Sequence, residues 1–128
     1  MLSLPSSVRI FLAREPTDMR KGFDGLAALV RRQGGEVFSG HLFAFVSKRR
    51  DRIKILVWDN GGFVLYYKRL EKSRFQLPRC GPDAHCVQLD SAQLAMLLDG
   101  IDVSVVRRPP KWLPPNLERR GIDIGDHL

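Results

Sequence analysis

The sequence predicts a single α+β domain: an antiparallel β-meander of about four to six strands packed with two helices, at about 18–33 and 91–99, followed by an extended C-terminal tail. Three observations predict it. Apolar runs between residues 41 and 70 alternate and are separated by short turns. Two other stretches carry apolar residues at helical spacing between cap and stop residues. From Arg107 onward the string Pro109-Pro110-Lys111-Trp112-Leu113-Pro114-Pro115 excludes regular helix and central strand. Residues 1–106 are therefore expected to form the compact domain, and residues 107–128 a Pro-rich basic tail.

Val8 to Ala13 reads as a first strand. Pro16-Thr17-Asp18 looks like a helix start, with Thr17 or Asp18 as N-cap. Met19, Phe23, Leu26 and Val30 then form one apolar stripe, and Gly34-Gly35 stops the helix. Gly22 and Gly25 share a face of this helix, which suits close packing on the sheet or the approach of a partner backbone. Three strands follow, at 41–47, 53–58 and 63–70. The first turn is the charged Lys48-Arg49-Arg50-Asp51-Arg52. The second is Asp59-Asn60-Gly61-Gly62, whose Asn and Gly tolerate the positive φ of a tight hairpin. In the middle strand Ile53, Ile55 and Val57 share one face, while Leu56 and Trp58 lie with Lys54 on the other. Both faces are apolar, so the second face needs a cover, either another helix or a partner chain. A short strand at 74–77 closed by Pro78, another at 85–89, and a helix capped by Asp90 and carrying Leu94, Leu97 and Leu98 complete the domain. Gly100 stops that helix, and residues 101–106 form a strand or extended segment.

Composition narrows the class. Hydrophobic residues make up 44%, enough for a core, and no apolar run approaches the roughly 20 residues of a membrane span. The N-terminus lacks the basic and apolar regions of a secretory signal, so a cytoplasmic location is expected. Cys80 and Cys86 make no disulfide framework. With His85 and the distant His41 they fall short of a zinc signature, so no metal and no cofactor is expected.

The formal charge is +7 and the pI near 10.0, which suits a polyanionic partner. The charge is local: residues 48–74 hold nine basic and three acidic side chains, leaving six of the seven net positive charges in that window. Lys48, Arg49, Arg50, Arg52 and Lys54 on the first turn and strand, with Lys68, Arg69 and Arg74 further on, are the candidate DNA or RNA contacts. A solvated turn that guards against aggregation is the competing explanation. Arg20 and Lys21, expected in the first turn of a helix where cations oppose the macrodipole, are a candidate phosphate seat or else pair with Asp18, Asp24 or a neighbouring strand. Phe43, Phe45, Trp58, Phe63, Tyr66 and Tyr67 interleave with the cations and serve either the core or base stacking. Trp112, in the proline-rich tail, has little local core to join and is a candidate anchor for another protein. The acids show no spacing signature of a metal-dependent nuclease, and no nucleophile triad or phosphate loop is visible.

Pro16-Thr17-Asp18-Met19-Arg20-Lys21-Gly22-Phe23-Asp24-Gly25-Leu26 resembles the signature of the small accessory proteins (TnpB, or Orf2-like) of insertion-sequence-66-type elements, a family distinct from the RNA-guided nuclease of the same name. The resemblance continues through Phe38-Ser39-Gly40-His41-Leu42-Phe43, Lys54-Ile55-Leu56, Trp58-Asp59, Lys68-Arg69-Leu70-Glu71, Arg74-Phe75 and Gln93 to Ile101. It departs at Gln76-Leu77-Pro78, where a tryptophan is usual before the proline. The resemblance implies a bacterial mobile-element protein that works beside a separate transposase, and it carries no active site. The expected function is a non-catalytic accessory role in transposition, binding element ends and touching the transposase and other element-encoded proteins, with a homodimer as a further expected assembly. A protein adaptor that meets the transposase without touching DNA is the alternative; a metal-dependent nuclease ranks below both.

Overall fold

The computed structural model describes residues 5, 7–79, 81 and 84–101. Its elements in chain order are β1 (Ile10–Ala13), α1 (Phe23–Arg32), β2 (Leu42–Val46), β3 (Arg52–Asp59), β4 (Gly62–Arg69), β5 (Cys86–Leu89) and α2 (Ser91–Leu98). The five strands form one sheet in the order β4-β3-β2-β1-β5. β2, β3 and β4 are the antiparallel meander expected from the alternating runs. β1 pairs parallel to β2 and antiparallel to β5, so the whole sheet is mixed. The parallel step follows from α1, which carries the chain back between the two strands. The expected tail, with Trp112, and nearly all of the 101–106 segment lie outside the described residues.

Both faces of the sheet are covered, which accounts for the two apolar faces of β3 without a second chain. On one face Ile53 and Ile55 pack with Ile10, Leu12, Leu42 and Leu89 beneath Leu94, Leu97 and Leu98 of α2. On the other, Leu56 packs with Phe43 and Phe45 beneath Leu26, Ala27 and Val30 of α1. Apolar burial at roughly 25 cal/mol per Å² is the main stabilising term for both layers.

Helix α1 starts five residues later than the sequence pattern predicts. Thr17 is buried and gives its backbone N–H to Val46 O (2.9 Å), so it extends the sheet instead of capping a helix. Asp18 to Lys21 form a turn, with Lys21 N donating to Asp18 O, and Gly22 becomes an extended N-cap without a side-chain bond. Tertiary bonds have claimed the segment before helix propensity could. Two readings change with it. Phe23 is exposed, while Met19 reaches the core from the turn. Gly22 faces open space, and a Cβ on Gly25 would meet the Lys21 stalk at 3.1 Å, so neither glycine serves close helix–sheet packing.

The segment at 74–77 forms no strand. Phe75 instead plugs the core with 0% exposure, and its backbone N–H is tied to Arg50 O (2.6 Å). α2 keeps its expected start: Asp90 and Gln93 form a reciprocal capping box. Gly100, at φ 76°, ends it. No described helix is long and apolar enough to cross a membrane.

Candidate nucleic-acid interface

The topology gathers the cations at one end of the sheet. β1 and β2 run parallel and end there, β3 begins there and β4 ends there. Three segments distant in sequence therefore meet at this end: the turn at 18–21, the turn at 47–52 and the connection from Arg69 to Phe75.

The 47–52 turn is closely held. Ser47 N donates to Arg52 O and Arg50 N to Ser47 O, both at 2.9 Å. The Ser47 hydroxyl accepts from Arg52 N and donates to Asp51, each at 3.2 Å. Arg50 adopts φ 62°, a left-handed conformation uncommon outside glycine. From the neighbouring segment Leu70 N donates to Asp51 O at 2.7 Å, beside the Phe75 bond to Arg50 O. These two bonds splice the segment that carries Lys72 and Arg74 to the back of the turn that carries Lys48, Arg49 and Arg50. All five side chains are exposed.

The remaining candidate cations divide by environment. Arg52 and Arg69 are register partners across β3 and β4, so they share one face of the sheet. Arg69 is bound by Glu71 at 2.9 Å. Arg52 and Arg69 line a cavity of about 280 Å³ with Tyr67 and Glu71. Lys54 is withdrawn from the set of surface contacts. It is only 7% exposed, and its Nζ donates to Met19 O (2.7 Å) and Lys21 O (2.8 Å) and lies 4.7 Å from the centre of the Tyr67 ring. A buried ammonium needs such partners, and here it fastens the 18–21 turn to the sheet. Lys68 points to the opposite face, where its Nζ donates to Leu98 O at 2.6 Å. That bond satisfies a terminal carbonyl of α2 and places a cation at the negative end of its dipole.

Arg20 and Lys21 precede α1 and are not part of its first turn, which holds Asp24 instead. Arg20 is gripped by Asp18, with Nη2 2.7 Å from Oδ2 and Nε bonded to the same carboxylate. The bonds from the Arg20 side chain, and then from its backbone, lower the Asp18 pKa from 3.8 to about 2. Lys21 is exposed, its stalk lying beside Gly25.

Aromatic side chains divide as well. Phe43 and Phe45 are core, and Trp58 and Phe63 join Phe38 in a cluster at the far end of β3 and β4, with ring centres 4.9–5.8 Å apart. Tyr66 and Tyr67 are exposed, on opposite faces of β4. The sequence reading missed the Lys54 clasp and the Phe75 anchor. The hairpin register sets Lys54 opposite Tyr67, but neither the carbonyls that Lys54 clasps nor the burial of Phe75 had a local signal.

Comparison with known proteins agrees with this chain's motifs. Over 115 residues it is 32% identical to the uncharacterized protein y4jC of Sinorhizobium fredii (strain NBRC 101917 / NGR234), covering 89% of this chain and 97% of the relative. Over 107 residues it is 36% identical to the uncharacterized protein y4hO of the same strain, covering 80% and 88%. No solved structure matches. Residues 8–108, which include the 18–21 turn, the basic hairpin and both helices, match the family described as IS66 Orf2 like protein, and the chain belongs to that family.

Proposed function

We propose that this protein, whose family ties it to an accessory role in transposition of IS66-type elements, acts without catalysis by binding element DNA through the basic end of its sheet and assisting a separate transposase there. The observation that carries this reading is the splice between the 47–52 turn and the 70–75 segment, whose backbone bonds bring the exposed Lys48, Arg49, Arg50, Lys72 and Arg74 to the same end of the sheet. Cations gathered on a hydrogen-bonded backbone can meet several phosphates at once and release their condensed counterions.

A duplex-binding titration at two salt concentrations tests the reading. Affinity should fall steeply with salt, by about 0.9 log units per tenfold salt for each phosphate contact. Arg49→Glu with Arg50→Glu should weaken binding at least tenfold and flatten that slope by about two contacts. Unchanged affinity would sink the interface, and metal-dependent nicking of plasmid that disappears on mutation of an Asp would overturn the non-catalytic part.

A further inference from the structure

We propose that Arg52, Tyr67 and Arg69 form a subsite for one unpaired nucleotide of DNA, the two guanidiniums taking its phosphate and the open face of Tyr67 stacking its base. The proposal rests on the DNA-binding reading above and assigns a ligand to one part of that surface.

Arg52 and Arg69 stand directly opposite each other in the β3–β4 register. Like charges so placed repel and call for a counter-charge. Glu71 supplies one, bonded to Arg69 Nε at 3.0 Å and Nη2 at 2.9 Å. Among the described residues Arg52 has no ion pair, so one carboxylate faces two guanidiniums. The cavity keeps a net positive charge and presents planar donors suited to phosphate oxygens.

Tyr67 gives the cavity its second chemistry. Lys54 lies against one side of the ring, and Lys54 is itself fixed by the carbonyls of Met19 and Lys21. The ring therefore cannot fold onto the sheet, and 49% of the residue remains exposed. A tyrosine pinned from behind and flanked by arginines is a stacking platform. A volume of about 280 Å³ is just below the roughly 300–1,000 Å³ of pockets that engulf a drug-sized ligand, which suits one nucleotide of a longer strand. In a duplex the base faces are already stacked, so the subsite selects an unpaired nucleotide. Glu71 competes with the phosphate for Arg69.

Anisotropy titrations with a labelled single-stranded oligonucleotide and a blunt duplex of equal length test the subsite in the full chain. Tyr67→Leu, which still covers Lys54 but has no π face, should weaken single-strand binding about tenfold or more and change duplex binding less than twofold. Tyr67→Phe should bind like the parent. Glu71→Gln, an exposed change that does not touch the core, should tighten single-strand binding several-fold, and Arg52→Gln should weaken it. Equal losses on strand and duplex, or wild-type strand affinity in both Tyr67→Leu and Arg52→Gln, overturn the subsite. If duplex binding still depends on Arg49 and Arg50 in that case, the general interface survives and only the subsite falls; if the parent binds neither probe, both fall.

Discussion

At the scale of single residues, three positions trade stability against charge. Lys54 is the clearest. Replacing it with Met keeps the apolar stem but leaves Met19 O and Lys21 O without their donor. An orphaned, partly buried acceptor costs about 1–3 kcal/mol, so urea unfolding of Lys54→Met should show a lower midpoint with an unchanged slope. Arg50 runs the other way. Its φ of 62° costs an L-residue roughly 1–2 kcal/mol, of which Gly would return part after its own entropic cost. Arg50→Gly should raise the melting temperature by a few degrees, about 0.5 kcal/mol, while weakening DNA binding. A loss on both counts would mean that the Arg50 side chain holds the turn itself. Asp18 supplies the pH dependence. Its folded pKa of about 2 lies below the ordinary 3.8, so the stabilisation is complete above the unfolded value and is lost as pH falls through about 2. An NMR titration of the carboxyl carbon should give that midpoint, and Arg20→Gln should return it towards 3.8.

At the scale of elements, legibility followed how local the decisive forces are. The cap of α2 is local, and Asp90 was readable as its start signal; Gln93 completes the capping box in the structure. Asp90→Ala should cost about 1 kcal/mol in thermal unfolding, because one N-terminal amide loses its acceptor. The Asn60-Gly61 turn was equally local. Both residues have positive φ, at 43° and 86°, and the two-residue loop fixes the register that sets Arg52 opposite Arg69 and Lys54 opposite Tyr67. The subsite geometry was thus implicit in the sequence once the turn was recognised. The start of α1 was not, because Thr17 answers to Val46 and Lys54 reaches the carbonyls of Met19 and Lys21 from 33–35 residues away. The same holds for residues 74–77: their alternation resembles a strand, but Phe75 is a plug whose partners lie in the turn and the core. Of the proposed interface, the hairpin cations were visible as a charge cluster. The partners of Lys54 and Lys68 were not, since charge counts do not distinguish a buried ammonium from a solvated one.

At the scale of the whole molecule, the mixed sheet divides into parts of different sequence range. β2, β3 and β4 pair with their immediate neighbours through short turns, and they carry the 47–52 turn with Arg52 and Arg69. β1 must cross α1 to reach β2, and Ile10 pairs with Leu89 near the far end of the described chain. The placement of β1 between β2 and β5 therefore has a kinetic consequence. Local hairpins pay little loop-closure entropy and assemble first, whereas strands joined over long separations lock late and reopen early. Native-state hydrogen exchange should accordingly find the amides of β5, the short edge strand, at least tenfold less protected than the central amides of β3. If β5 instead exchanges only with global unfolding, the sheet is a single cooperative unit. Under the sequential order, the surface built on β3 and β4 takes shape before the domain is complete, and a nascent or partly opened chain keeps its basic hairpin intact.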